Sequence, residues 1–163
     1  MISRLTDGFK FLGFVIKMTD TNQNKILTVY RNKPRSKRRT TSRKITIIPD
    51  KDRILKNLKQ KKFCDSLYYP IRLRHWTIFS EYEIVQKYDH IFRGLFNYYN
   101  KCDQHYILNR VYYILQYSCA KTLATRKKIT MFQVFTKYSK NLNVEIQVYK
   151  NNEFFIRRVK LET

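Results

Sequence analysis

Residues Tyr112 to Tyr138 read YYILQYSCAKTLATRKKITMFQVFTKY and combine a helical pattern with a basic cluster. In the first half, apolar and small residues recur every three or four positions, as on the buried face of an amphipathic helix. That half ends in the cations Arg126–Lys128, and Thr130 with Gln133 then has the capping-box spacing that begins a second helix. The pattern therefore predicts two packed helices with adjacent cations at their seam, which suits a phosphate backbone better than a small-molecule pocket.

The composition favours a nucleic-acid partner. The chain has 163 residues and a net charge of +22, from 34 Lys and Arg against 12 Asp and Glu. Such an excess repels itself unless a polyanion neutralises it, and 43% hydrophobic residues is enough for a core. A basic protein without a polyanion and a protein of an anionic membrane surface are the weaker alternatives. No apolar run approaches the roughly 20 residues that span a bilayer.

Cysteine and histidine spacing supports neither a disulfide framework nor a metal site. Cys64, Cys102 and Cys119 are odd in number and far apart, and the chain has no Cys-x-x-Cys pair and no close His pair. We therefore predict no metal and no cofactor. Residues with A/T-rich codons are abundant and Gly occurs only 3 times, which predicts an organelle-encoded protein, mitochondrial with a plastid as the alternative.

The first third of the chain predicts strands followed by a basic loop. Phe9–Ile16 and Ile26–Tyr30 are rich in aromatic and branched residues, and we predict that they pair as a hairpin across the polar loop Thr19–Lys25. Gly13 within the first strand suggests a bulge or a close backbone approach. The strongly basic, acid-free segment Arg31–Lys44 predicts a flexible loop that RNA orders, with a solvated charge run as the alternative.

Helical periodicity and capping residues then predict a bundle of three to four helices. After a short strand at Lys44–Ile48, the expected helices are Asp50–Phe63, Glu81–Asn100 behind a Ser80–Glu83 capping box, Gln104–Thr125 capped by Asp103, and Thr130–Asn141. The shared interior is expected to contain Tyr88, Leu95, Ile114 and Leu123. Aromatic residues of the connector Tyr68–Phe79 either pack on the bundle or stack on bases, and packing is the favoured interpretation.

The hydrophobic period changes to two after Asn143. Val144–Val148 and Phe154–Val159 are therefore predicted to form a hairpin around Asn151–Asn152, which either covers the bundle or pairs with the N-terminal hairpin. The predicted fold class is α+β, a helical bundle flanked by an N-terminal and a C-terminal β-hairpin. The predicted domains are residues 1–48 with the hairpin and basic loop, 49–143 with the helices, and 144–163 with the terminal hairpin.

Short motifs across the helical region carry a resemblance to one protein family. They are Ile114-Leu115, Ser118-Cys119-Ala120, Thr122-Leu123-Ala124, Lys127, Thr130, Val134-Phe135 and Lys137-Tyr138. Together they resemble the X (maturase or thumb) domain of group II intron maturases, and FLGF at Phe11–Phe14 is similar to the last palm-proximal motif of reverse transcriptases. The resemblance covers Phe11–Tyr138 and implies a helical thumb domain that grips structured RNA, without the fingers and palm of a full maturase.

The sequence lacks the residue groups that the reactions of such proteins require. A reverse transcriptase needs paired carboxylates that hold two metal ions, and this chain has no adjacent Asp pair. A His-Asn-His endonuclease needs clustered His, Asn and Cys residues, which are missing, and 3 glycines cannot build a phosphate-cradling loop. We therefore predict that the chain is not an enzyme.

These observations lead to two functional hypotheses, and in both the protein binds structured RNA. The first is a non-catalytic protein that promotes the folding and splicing of group II intron RNA, and the alternative is a structural subunit of an organellar ribosome that binds ribosomal RNA. A DNA-binding domain left from a mobile element is a third, weaker hypothesis. Other proteins of a ribonucleoprotein are expected partners and a membrane is not. The predicted RNA-binding residues are Arg31, Lys33, Arg35, Lys37, Arg38, Arg39, Arg43, Lys44, Lys56, Lys59, Lys62, Arg72, Arg74, Lys121, Arg126, Lys127, Lys128, Lys137, Arg157 and Arg158.

Overall fold

The computed structural model describes residues 7–20, 26–31, 33–39, 43–150 and 153–161, which belong to two compact units. The first unit consists of the chain up to Asp50 together with Cys102–Gln104, and the second of Lys51–Lys101 with the chain from His105 onward. Compact units are not by themselves independently folding domains, so the three-part division at residues 48 and 143 stays a prediction.

Five strands are present among the described residues of the first unit. They are β1 (Phe9–Phe11), β2 (Phe14–Asp20), β3 (Ile26–Arg31), β4 (Lys33–Arg39) and β5 (Arg43–Pro49). β1, β2 and β5 form an antiparallel sheet with β2 at its centre, and β3 pairs with β4 in a second sheet. Leu12 and Gly13 turn β1 into β2 with φ of 47° and 88°. A two-residue hairpin turn of type I′ has positive φ at both positions, so Gly13 serves the turn and not the predicted bulge. The alternative of a close backbone approach at Gly13 stays a prediction.

The predicted pairing of the first strands is wrong. The long partner of β2 is β5, in a register that runs from Phe14 opposite Pro49 to Asp20 opposite Arg43. The predicted loop Arg31–Lys44 is also wrong, because Lys33–Arg39 is a strand paired with β3. Pro34 has no backbone N–H to donate to a neighbouring strand. It is tolerated in β4 because the register shifts opposite it, between Val29 and Arg31, where no such hydrogen bond is required. Residues 21–25 of the predicted loop lie outside the described residues.

The described part of the second unit contains four helices and a hairpin. The elements are α1 (Lys51–Gln60), a 3-10 turn at Arg74–Trp76, α2 (Glu81–Tyr99), α3 (Tyr106–Lys127), α4 (Met131–Tyr138), β6 (Val144–Lys150) and β7 (Glu153–Val159). α3 packs against α2 and α4, and the antiparallel pair β6 and β7 packs against α2. The predicted α+β class with a terminal hairpin is therefore confirmed, although the turn at Asn151–Asn152 lies outside the described residues.

Two helices begin with the predicted side-chain caps, and α3 does not. The capping boxes of α2, from Ser80 and Glu83, and of α4, from Thr130, are both present. Asp103 does not cap α3, which begins after His105 without a side-chain cap. The Asp103 carboxylate instead accepts a hydrogen bond from the backbone N–H of Ile47 at 2.8 Å. The carboxylate oxygen that could have capped α3 thus accepts a hydrogen bond from an N–H of the edge strand β5.

The helical interior agrees with the predicted core at most positions. Tyr88, Ile114 and Leu123 are completely buried, and Leu95 is half-buried. Phe96, in contrast, is 37% exposed, so the apolar stripe of α2 is wider than the surface that its neighbours cover. Trp76 packs edge-on against Tyr88 with ring centroids 5.0 Å apart, which confirms the packing interpretation for Trp76, whereas Tyr69 of the same connector is 58% exposed.

Buried hydroxyls of α3 hold the connector between α1 and α2. Ser118 Oγ donates to the carbonyl of Ile71 at 2.5 Å, and Thr122 Oγ1 accepts from the N–H of Leu73 at 3.0 Å. Tyr88 Oη lies 2.8 Å from Ser118 Oγ and 3.2 Å from Thr122 Oγ1. An irregular connector has few backbone partners of its own, so these side chains satisfy polar groups that would otherwise be buried unpaired.

We predict that Thr122→Val destabilises the protein by about 1–3 kcal/mol, because the buried N–H of Leu73 is left without its acceptor. Urea unfolding followed by circular dichroism measures the change. Thr125→Val is the matched control on the same helix, since the Thr125 hydroxyl donates only to the Lys121 carbonyl one turn earlier and no buried N–H depends on it. Equal destabilisation by both variants would show that helix propensity, and not the missing acceptor, is responsible.

Candidate nucleic-acid interface

The segment that builds α3 and α4 has no acidic residue. From Gln104 to Val144 the sequence contains neither Asp nor Glu, and its cations are Arg110, Lys121, Arg126, Lys127, Lys128, Lys137 and Lys140. A surface built from such a segment carries a positive potential that attracts polyanions. Our sequence prediction considered the basic cluster and did not include this acid-free run. The positions of Asp and Glu along the chain are the signal that shows it.

The basic cluster Arg126–Lys128 lies at the C-terminal end of α3. Cations there are stabilised by the helix dipole. The helix ends because Lys128 adopts the left-handed conformation, with φ 56° and ψ 38°, and the N–H of Ile129 bonds back to the carbonyl of Ala124. The chain then enters α4 at the Thr130 cap, so the cluster sits on a defined reversal between two helices.

Several cations that we predicted to contact RNA already bond within the protein. Arg126 Nη1 donates to the carbonyl of Thr77 at 2.8 Å, and Lys121 Nζ donates to the carbonyl of Pro70 at 2.7 Å. Both acceptors belong to the connector, so α3 holds that segment with its cations as well as with its hydroxyls. Lys128 is exposed.

Glu81 connects three helices at this end of the bundle. It is the first residue of α2, it forms an ion pair with Lys127 of α3, and it accepts a hydrogen bond from Tyr138 Oη of α4. Partial burial opposes ionisation of the carboxyl group, but the hydrogen bonds from Lys127 and Tyr138 outweigh it and hold the pKa of Glu81 below its usual range. Burial and the same carboxylate raise the pKa of Tyr138.

A lowered pKa makes this contact dependent on pH in a defined direction. Glu81 binds a proton less readily in the folded than in the unfolded chain, so its contribution is present above its unfolded pKa and disappears as the pH falls through the folded value. We predict that Glu81→Gln lowers stability at pH 7 by roughly 1 kcal/mol or less, and that this difference vanishes on acidification below about pH 4. Thermal unfolding of both proteins between pH 7 and pH 3 measures it.

The control for this variant is Glu145→Gln. Glu145 pairs with Arg158 at 2.6 Å, but their side chains are 54% and 72% exposed, so removing this pair should have little effect at any pH. A destabilisation by Glu81→Gln that stays constant from pH 7 to pH 3 would contradict the ionic role of Glu81.

The other predicted RNA-binding residues divide by their surroundings. Exposed side chains belong to Lys56, Lys59, Lys62, Arg72, Arg74, Lys128, Lys137 and Arg157. Intramolecular partners are present for five others, all of which except Lys121 are also exposed: Lys44, which pairs with Asp103, Lys121, Arg126, Lys127 and Arg158. Side chains outside the described part of the structure are those of Arg31, Lys33, Arg35, Lys37, Arg38, Arg39 and Arg43, so their role stays a prediction.

A row of aromatic side chains on α3 and α4 was not predicted. Tyr113 and Tyr117 of α3 have ring centroids 4.5 Å apart, and Tyr117 is followed by Phe135 of α4 at 5.5 Å. Phe132, also on α4, is 80% exposed. The sequence contains the signal for this exposure, because Phe132 lies two residues before the buried Val134 and so roughly 200° around the helix from it.

Neither a metal site nor a membrane span is present among the described residues. Within them, no group of three or more His, Cys, Asp or Glu side chains is arranged to hold a metal ion. No helix in the same ranges combines the length and the apolar character that crossing a bilayer requires. Burial raises the pKa of the Cys119 thiol, which lies in the core.

The chain matches one family model and several known proteins. A family model described as type II intron maturase matches residues 40–160, which include all four helices and the basic cluster. The chain is 35% identical over 149 residues to Maturase K of Physcomitrium patens, covering 89% of this chain and 28% of that protein. It is 34% identical over 139 residues to Maturase K of Marchantia polymorpha, covering 83% of this chain and 36% of that protein.

A third relative is Maturase K of Palhinhaea cernua, which is 36% identical over 107 residues, or 66% of this chain and 21% of that protein. The chain therefore spans roughly a fifth to just over a third of the length of these curated relatives.

Proposed function

This chain belongs to the type II intron maturase family, and we propose that it is a non-catalytic, thumb-like RNA-binding protein that promotes the folding and splicing of group II intron RNA. The observation that carries the proposal is the family match over residues 40–160, which contains every helix of the second unit. The relatives are named as maturases, so group II intron RNA is the partner that this family membership favours.

The charge distribution supports an RNA partner. The net charge is +22, and the segment that forms α3 and α4 is free of carboxylates. Exposed cations on α1, at Lys128 and on α4 can each neutralise a phosphate and release its counterion, which favours binding at low salt. We propose these residues as the phosphate contacts of the second unit, with the basic strand β4 as a further contact of the first.

Binding alone is enough for the proposed role. A protein that binds only the active fold of an RNA stabilises that fold by about 2.7 kcal/mol when its free concentration is roughly 100 times its Kd. Such a contribution shifts an RNA with a marginally stable fold toward its splicing-competent form without any chemical step on the protein. The intron would supply the reacting groups.

The relatives support an organelle as the location, and we propose a mitochondrion or a plastid. They give no support to the ribosomal alternative, because their names refer to maturases.

We predict that the protein in gently lysed organelles co-sediments with unspliced group II intron precursors. Ultraviolet cross-linking followed by sequencing of the bound RNA measures this, with fractions of a sucrose gradient compared along its length. Spliced messenger RNA from the same genes is the control and should be depleted. Constant migration with ribosomal subunits would overturn the proposal.

We predict that neutralising Arg126, Lys127 and Lys128 together weakens binding to every structured RNA tested. The log–log dependence of affinity on salt should flatten by roughly 0.7 to 0.9 for each phosphate that the protein no longer neutralises. Filter binding across a salt series measures the slope. Lys128→Asn tests one exposed cation alone, since Asn tolerates the left-handed conformation of that position.

Lys101→Gln is the charge-matched control. Lys101 is exposed and lies in the turn after α2, outside the predicted interface. The proposal expects a smaller change in slope for Lys101→Gln than for Lys128→Asn. Identical slopes would mean that overall charge, and not this surface, determines the binding.

A further inference from the structure

An open cavity lies between α3 and α4 and is lined largely by aromatic rings. Its volume is about 390 Å³, within the range of roughly 300–1,000 Å³ that is usual for small-ligand sites. Tyr117, Phe132 and Phe135 form the apolar part of its lining, and Gln116, Thr136 and Lys140 form the polar part. At 80% exposed, the ring of Phe132 costs free energy in water unless something covers it.

A buried amide lines the same cavity. Gln116 is 4% exposed, and its Nε2 donates to the carbonyl of Lys140 at 2.7 Å and to Tyr112 Oη at 3.3 Å. Because a carbonyl can only accept, the bond to Lys140 fixes which end of the amide is the nitrogen. Neither bond uses the amide oxygen, which therefore stays able to accept an N–H from a ligand in the cavity.

Charge distinguishes between the possible occupants. Lys140 lines the cavity, exposed Lys137 follows Thr136, and Arg110 lies over the ring of Tyr113 with 5.3 Å from Cζ to the ring centroid. The surrounding segment has no carboxylate from Gln104 to Val144. Aromatic faces next to cations are the features with which proteins hold unpaired nucleotides, where bases stack on rings and phosphates meet Lys or Arg.

We infer that this cavity holds one unpaired base of the bound RNA. The base stacks on Phe132, an N–H of its edge donates to Gln116 Oε1, and the neighbouring phosphate lies at Lys140. The inference rests on the proposed function, because it assumes that the partner is RNA, and it adds a contact to a base where the basic cluster contributes contacts to phosphates.

The test uses a short single-stranded RNA that carries 2-aminopurine, whose fluorescence falls when the base stacks, and the same RNA paired into a duplex. The wild-type protein should quench the single strand and not the duplex. Phe132→Ala should abolish the quenching and weaken single-strand binding by roughly tenfold, which corresponds to one base stacked on one ring. Its thermal stability should equal that of the wild type, because the side chain is 80% exposed.

Three variants separate stacking from simple apolar burial. Phe132→Trp keeps a ring and should keep both affinity and quenching, whereas Phe132→Leu keeps only apolar surface and should behave like Phe132→Ala. Ile78→Ala removes a side chain of matched exposure, 78%, outside the cavity and should change nothing. Wild-type behaviour of Phe132→Leu would overturn the inference and indicate an apolar protein contact instead.

The outcomes also distinguish this inference from the proposed function. If RNA binding stays salt-dependent but no substitution at Phe132 alters it, the base site is wrong and the proposed function stands. If the wild-type protein binds no RNA at all, the proposed function itself is wrong.

Discussion

The hydrogen bonds between one face of α3 and the connector before α2 are the constraint on which the second unit depends. Ser118, Thr122, Lys121 and Arg126 each bond a backbone group of that connector, and their spacing of three or four residues puts them on one side of the helix. Without them, an irregular segment would leave polar groups buried and unpaired. Because two of the four are cations, the same hydrogen bonds that order the connector also fix where positive charge lies.

This double use affects how the proposed interface would bind RNA. Arg126 uses one donor on Thr77, but a guanidinium has five, so it can hold the connector and a phosphate together. Lys127 shares its charge with Glu81, which reduces its attraction for phosphate while ordering the side chain in advance. Cations that are not held in this way lose more conformational entropy on binding. The proposed interface would thus combine a few positioned charges with less constrained ones, beside the aromatic cavity that we propose for a base.

Local patterns in the sequence determined the helices, their caps and much of the core. Capping boxes at Ser80 and Thr130 depend on residues three positions apart, so the sequence alone specifies them. Helical periodicity likewise identified Tyr88, Ile114 and Leu123 as core residues. The family and the polyanionic partner of the proposed function follow from motifs and net charge, which are also properties of the sequence.

Contacts between residues that are distant in the sequence determined three features. They are which strands pair, what Asp103 bonds, and which cations bond within the protein. Alternating apolar residues predict a strand but leave its partner open, and β2 pairs with β5 instead of the nearer β3. Asp is a common helix-capping residue, yet the carboxylate of Asp103 accepts a hydrogen bond from the N–H of Ile47, which is 56 residues away in the sequence. Lys127 and Lys128 are adjacent and chemically identical, and only folding brings the Glu81 carboxylate to Lys127. Long-range hydrogen bonds and ion pairs form between groups that are close in space. Which distant residues become close depends on the complete fold, and a local stretch of sequence does not determine it.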